Sequence, residues 1–171
     1  MMRIEELTGR AMIEVLPKLA QLRIQVFREW PYLYDGSLAY ESLYLEKFSR
    51  CSDAMVVVAR DGDNVVGAST ACPLMGHVDE FAEPFERMGY DSSKVFYMGE
   101  SVLRREYRGR GIGKALFEKR EERARREGGY TYAAFCAVVR DEDDPRKPAD
   151  YRPLDGFWRK QGFEKVDGMI T

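Results

Sequence analysis

The sequence predicts an α/β domain built on a mixed, mostly antiparallel sheet with helices on both faces. Three observations carry this expectation. The stretch from Ala54 to Cys72 has the form of a β-hairpin. The stretch from Val95 to Val139 reads strand–helix–strand, which needs a parallel strand pair joined by a crossover helix. Helical apolar spacing fills the regions before and between them. With 171 residues, 44% hydrophobic and 33% charged, the chain suits a single domain over 1–171. Folding at this size removes roughly 70% of the unfolded chain's surface from water, and the composition excludes a disordered chain.

In order along the chain, Met2 to Leu7 reads as a first strand. Met12, Val15, Leu16, Leu19, Leu22 and Val26 then recur at helical spacing. Proline disrupts a helix interior, so Pro17 is expected in the first turn of that helix. Trp30 to Gly36 forms an aromatic loop, and a second helix is expected over Tyr40 to Ser49. Ala54 to Arg60 and Val65 to Cys72 flank the turn Asp61-Gly62-Asp63-Asn64, and Pro73 ends the hairpin. Phe81, Phe85 and Met88, at i, i+4 and i+7, mark a short helix.

Val95 to Leu103 is the next strand, and Gly99 inside it points to a bulge. A helix follows from about Gly111 to Glu127 and stops at Gly128-Gly129. Its Glu121–Arg125 and Glu122–Arg126 pairs belong to a solvated face. Tyr130 to Val139 is nearly all apolar or β-forming, as in a strand buried on both faces. Arg140 to Asp150 is a charged loop, a last helix covers Tyr151 or Pro153 to Gln161, and Phe163 to Ile170 is a final strand.

Several functional classes fall away on composition. Lys and Arg number 27 against 29 Asp and Glu, a net charge of −2, without the basic excess of a general nucleic-acid binder. No apolar run approaches the ~20 residues of a membrane span. The N-terminus turns acidic at Glu5-Glu6 before any apolar run, so no secretory signal is expected. Cys51, Cys72 and Cys136 are oddly numbered and widely spaced, which suggests reduced thiols in a cytoplasm, with Cys72 and Cys136 in the core. The one histidine, His77, excludes any mechanism that needs two and is expected in an exposed loop. No metal site is expected.

The segment that carries chemistry is Arg108-Gly109-Arg110-Gly111-Ile112-Gly113-Lys114, between a strand and a helix. Glycines let backbone N–H groups approach a ligand, and the open N–H groups of a first helical turn attract anions. With Arg108, Arg110 and Lys114 beside them, the simplest ligand is a pyrophosphate. A nucleotide P-loop would need glycine at Arg108 and Ser or Thr at Ala115. A dinucleotide fingerprint would need glycine at Lys114. Gly99-x-Ser101-x-Leu103 approaches a hydrolase nucleophile elbow, but Leu103 stands where glycine is required.

Arg108-x-x-Gly111-x-Gly113 after the strand Val95 to Leu103 resembles the coenzyme A loop of the GNAT superfamily of acyl-CoA-dependent N-acyltransferases. The order of elements follows that family, and Phe157-Trp158-Arg159-Lys160-Gln161-Gly162-Phe163 is similar to its C-terminal Phe-Tyr-x-Lys-x-Gly-Phe segment. The resemblance covers essentially the whole chain. It implies that the parallel strand pair splays apart, with pantetheine lying between like an added strand. Backbone groups of Ser101, Val102 and Leu103 would hold the pantetheine. Arg108, Gly109, Arg110, Gly111, Ile112, Gly113 and Lys114 would hold the pyrophosphate.

On the same resemblance the chain is an acetyl-CoA-dependent N-acetyltransferase, with Glu100 beside the thioester as base for the incoming ammonium. A strand glutamate merely paired with arginine or facing solvent is the plainer reading of that residue. Two departures stand out. Trp158 replaces the tyrosine many members use as general acid, and Tyr151 replaces an asparagine. Trp158 would then pack on the coenzyme, leaving Tyr151 as the available proton donor. The acceptor, a small-molecule or peptide amine, would meet Tyr32, Tyr34 and Asp35 and the connection bearing Asp79, Glu80 and Glu83. No nucleic acid or membrane partner is expected, and a homodimer is compatible with the sequence. The rival reading is an acyl-CoA-binding sensor or interaction module without turnover, which Trp158 favours.

Overall fold

The computed structural model describes residues 1–76 and 79–170, without the side chains of Asp79 and Glu80. His77 therefore lies outside the described residues. Strand β1 (Met2–Leu7) leads into α1 (Gly9–Phe27) and α2 (Leu38–Ser49). The hairpin of β2 (Met55–Asp61) and β3 (Asn64–Pro73) follows, then α3 (Asp79–Arg87) and β4 (Val95–Leu103). Helix α4 (Ile112–Glu127), β5 (Tyr132–Ala134) and α5 (Asp155–Lys160) complete the chain. The five strands lie in the order β1-β2-β3-β4-β5, antiparallel except for the parallel pair β4–β5.

Period-two alternation places the sheet between two helical layers. Val56 and Val58 of β2 face α1 and α2, and Met55, Val57 and Ala59 face α4. Both faces of β2 are covered, which is why its sequence is an unbroken apolar run. Leu19 of α1 and Leu116 of α4 are fully buried against opposite faces. Each such side chain contributes about 1.5–3 kcal/mol. Ser37 caps α2 by accepting from the Tyr40 N–H at 3.2 Å, so that helix begins two residues before its expected start. A ring cluster of Phe117, Phe135, Phe157, Trp158 and Phe163, with centroids 5.0–5.7 Å apart, fastens α5 and the chain after it to α4.

Several sequence expectations need correction. Pro17 lies in the interior of α1, because the helix starts at Gly9. Pro17 and Ile13 are both exposed, so the Ile13 carbonyl that loses its donor is on the solvent side. Strand β5 is only Tyr132–Ala134 and is not buried on both faces. Pairing stops at Tyr97 with Ala134, after which Val138 and Val139 run exposed. Cys136 lies in this unpaired stretch and is exposed, whereas Cys72 is buried as expected. The last helix begins at Asp155, leaving Tyr151 in the preceding loop. Phe163 to Ile170 forms no strand. Gly162 and Gly168 adopt positive φ of 91° and 78°, which turns the chain out of an extended path, although Phe163 and Met169 still pack inward.

Candidate active site

The site is set by a bulge in β4. Ser69 pairs with Ser101, but Ala71 pairs with Met98, so β4 spends one extra residue opposite Thr70. The extra residue reverses the alternation: Phe96 packs with α4, whereas Val102 packs with α1. Glu100 is thereby turned to the α1–α2 side and Ser101 to the α4 side. Gly99 is required here because a Cβ on it would stand 2.2 Å from Thr70 Oγ1.

Beyond the bulge, β4 has an open edge. Its pairing with β5 ends at Tyr97, yet β4 continues to Leu103. The Arg104 N–H donates to the Val66 carbonyl at 2.9 Å, and Val102 stands opposite Ala68. Parity along the ladder therefore turns the backbone groups of Val102 into the sheet and those of Ser101 and Leu103 to the open side. The Leu103 carbonyl accepts from Arg108 Nε and Nη2 at 3.2 and 3.1 Å. Among the described residues, the open groups are thus the Ser101 N–H and carbonyl and the Leu103 N–H. Val102, expected among the ligand-holding groups, is committed to β3.

At the end of this edge lies the loop into α4. Gly109 and Gly111 have φ of 75° and 78°, a conformation that favours glycine, and Gly111 caps the helix. The first backbone bond of α4 runs from the Ala115 N–H to the Gly111 carbonyl at 3.1 Å. Among the described residues, none of the N–H groups from Gly109 to Lys114, Ile112 included, donates to a backbone carbonyl. Arg108 is fixed by Glu29 at 2.9 Å, the Arg110 guanidinium lies 5.2 Å from the Tyr107 ring, and Lys114 is exposed beside Glu118. The loop is an anion cradle built from backbone, with basic side chains at its rim. Its floor is Phe157, whose ring comes within 3.7 Å of a Cβ built on Gly113.

On the other face, Glu100 is buried in an ion cluster. The Arg23 guanidinium of α1 pairs with both Glu41 of α2 and Glu100, and Thr70 Oγ1 donates to Glu100 Oε2 at 3.0 Å. Burial alone would raise the Glu100 carboxyl, but the Arg23 charge and these hydrogen bonds outweigh it and hold it below its ordinary value. Arg23 lies 4.5 Å from the Tyr44 ring and 5.0 Å from that of Phe27. Tyr32 stands close enough to feel both Glu100 and Tyr151, and burial foremost keeps its phenol protonated above the usual range. Tyr151 is raised as well, by burial and then Asp155, and its ring meets Trp30 edge-on at 6.2 Å.

The other expected residues divide. Tyr34 packs with the α1–α2 core near Glu41. Asp35 is 88% exposed and paired with Arg28 at 3.2 Å, so the fold does not bring it to Glu100. The Glu80 side chain lies outside the described residues. Trp158 is half-buried with its ring 5.0 Å from Phe135, at the parting of β4 and β5. Sequence reading missed Arg23, Glu41 and Arg120. A signal existed, since each sits four residues from a buried leucine (Leu19, Leu45, Leu116), a charge inside an apolar stripe.

A model described as the acetyltransferase (GNAT) family matches residues 19–163. No curated protein matches the chain. Among solved structures, a possible acetyltransferase from Clostridium difficile 630 is similar at TM-score 0.67 and 11% identity, over 99% of this chain and 95% of that one. The aminoglycoside N-acetyltransferase AAC(6')-Iy in complex with CoA is similar at 0.61 and 19%, over 100% and 93%. The aminoglycoside acetyltransferase meta-AAC0020 from an uncultured soil metagenomic sample, in complex with sisomicin, gives 0.61 and 17%, over 99% and 95%. At these identities the likeness is one of fold.

Proposed function

The chain belongs to the GNAT acetyltransferase family, and from that premise we propose that it transfers an acetyl group from acetyl-CoA to a primary amine of a small molecule. The observation that carries the reading is the juxtaposition of the open edge of β4 with the N–H groups of Gly109 to Lys114, which among the described residues donate to no backbone carbonyl. The pyrophosphate of acetyl-CoA would take the cradle, with Arg110 and Lys114 nearby. Pantetheine would take the Ser101 and Leu103 groups as an added strand. That order sets the thioester near Gly99 and Glu100, against the side where Tyr32 and Tyr44 stand.

The amine nitrogen attacks the thioester carbonyl carbon, the C–S bond breaks, and sulfur leaves with the electron pair. A thiolate whose conjugate acid has a pKa of about 8.5 needs little help to leave. Tyr151, protonated at neutral pH, is the nearer donor in sequence, and Trp158 packs at the strand parting. The harder proton transfer is the loss from an alkylammonium with a pKa near ~10. Glu100, ionised and held by Arg23 and Thr70, accepts that proton through water in this scheme. Because its carboxyl is held low, it is a weak base, and the rate should rise with pH as free amine accumulates.

The deciding measurement is free-thiol release from acetyl-CoA across a panel of amines. The likeness to aminoglycoside acetyltransferases puts aminoglycosides on that panel beside polyamines and peptide N-termini. Acceptor-dependent release supports an enzyme. Saturable acetyl-CoA binding with no release from any amine would instead favour a sensor.

A further inference from the structure

Arg120 is a charged side chain that this reading of the site leaves unused. It projects from α4 into the sheet and is 1% exposed. Its Nη1 donates to the Thr70 carbonyl at 3.3 Å, its Nη2 to Ser101 Oγ at 2.8 Å, and its Nε to the Leu116 carbonyl at 3.2 Å. Its guanidinium lies 4.5 Å from the Phe117 ring, and among the described residues no carboxylate lies within ion-pair distance of it. Thr70 lies opposite the β4 bulge and Ser101 directly follows it. A buried guanidinium with only neutral acceptors is costly to keep and needs a compensating reason.

Charge balance supplies that reason. Among the described residues, the buried ionic side chains around the bulge are Arg23, Glu41, Glu100 and Arg120, two of each sign. Arg23 is shared between both carboxylates, and the Glu100 charge acts on Arg120 across the sheet. Burial pushes Arg120 down to about 9 while the Glu100 charge and then that of Glu121 oppose it, so it stays cationic at neutral pH. On its own side, Glu100 pairs with Arg23, which it shares with Glu41, and its charge is felt by Tyr44, Tyr32, Cys72 and Tyr97.

We propose that Arg120 is a positioning residue for acyl transfer: by holding the Thr70 carbonyl and the Ser101 hydroxyl it fixes the bulge that aims Glu100 to one face and presents the open edge of β4 for pantetheine. The proposal rests on the acetyltransferase reading for its kinetic consequence, and on the free protein for its structural one. Two long-chain substitutions separate the functions of the guanidinium. Arg120→Lys keeps the charge and loses the fork; Arg120→Gln keeps one donor and loses the charge.

The experiment measures two quantities in each variant: the carbonyl ¹³C titration of Glu100 in the free protein, and kcat and KM for acetyl-CoA. Arg120→Gln should raise the Glu100 midpoint by about one pH unit, and Arg120→Lys should leave it unchanged. Both should raise KM for acetyl-CoA roughly tenfold, which is about 1.4 kcal/mol. Unchanged titration together with KM within twofold of wild type in both variants overturns the proposal. If wild type shows no acetyl transfer, the acetyltransferase reading fails, and the ¹³C titration alone decides whether Arg120 governs Glu100. Should a variant not melt cooperatively, Ser101→Ala decides. It removes the acceptor of Arg120's shortest bond, and a raised KM supports the proposal while an unaltered one overturns it.

Discussion

The two ends of the open β4 edge handle charge by opposite means. At Gly109 to Lys114 the backbone N–H groups are left without carbonyl partners and the basic side chains stand in water. At Gly99 and Glu100 the charges are buried and the carboxylate is shared between Arg23 and Thr70. The first arrangement suits a mobile, highly charged ligand that brings its own negative charge. The second suits a fixed geometry, because a buried carboxylate with partners on several elements cannot swing. A site that must bind a flexible coenzyme and also align a reacting carbonyl has use for both.

The sharpest way to break this contrast is Gly113→Asp. A side chain there meets only the Phe157 ring at 3.7 Å, an ordinary contact, so the fold should persist with a cooperative melt. The new carboxylate would put a negative charge in the first turn of α4, and acetyl-CoA affinity by calorimetry should fall at least about 100-fold, or ~2.7 kcal/mol. Retained affinity would mean the loop does not bind the pyrophosphate.

Glu100→Gln attacks the other end. It should lower kcat at neutral pH by roughly 10²-fold with KM for acetyl-CoA little changed, and the defect should shrink at high pH. It should also alter acid stability. Since the Glu100 carboxyl is held below 4.5 in the fold, its stabilisation is complete above that pH and is lost as pH falls through the folded value. Chemical denaturation should therefore show a shallower acid decline in the Gln variant than in wild type. A rate within twofold of wild type at pH 7 would leave Glu100 as a structural residue.

Gly99→Ala tests the bulge without touching a charge. Its Cβ would sit 2.2 Å from Thr70 Oγ1, so Thr70 must move off Glu100. Overpacking of this kind costs about 1–3 kcal/mol, and a wild-type melting temperature would show that β4 can relax around it. The smallest effect is expected from Tyr151→Phe, at most about tenfold in kcat, or ~1.4 kcal/mol, because a thiolate leaves readily. A thousandfold loss at unchanged coenzyme affinity would show that a dedicated acid is essential.

Local chemistry made the cradle and most of the fold legible in the sequence. Gly109, Gly111 and Gly113 between a strand and a helix announce a backbone site, since positive φ and open first-turn N–H groups are properties of a few adjacent residues. The β2–β3 hairpin, β4, α4 and the parallel crossover follow equally from periodicity and turn residues. Gly99 signalled the bulge. Only the tertiary structure decided what the bulge does. One extra residue in β4 reverses every side chain beyond it, and which partners await on each face depends on α1, α2 and α4. Arg23, Glu41, Glu100 and Arg120 are far apart in sequence, and their mutual neutrality exists only once the sheet closes between its helices. The short β5 and the unpaired tail after Gly162 were hidden for the same reason. An apolar run becomes a strand only where a neighbour offers backbone groups, and the pairing of β5 with β4 ends at Tyr97.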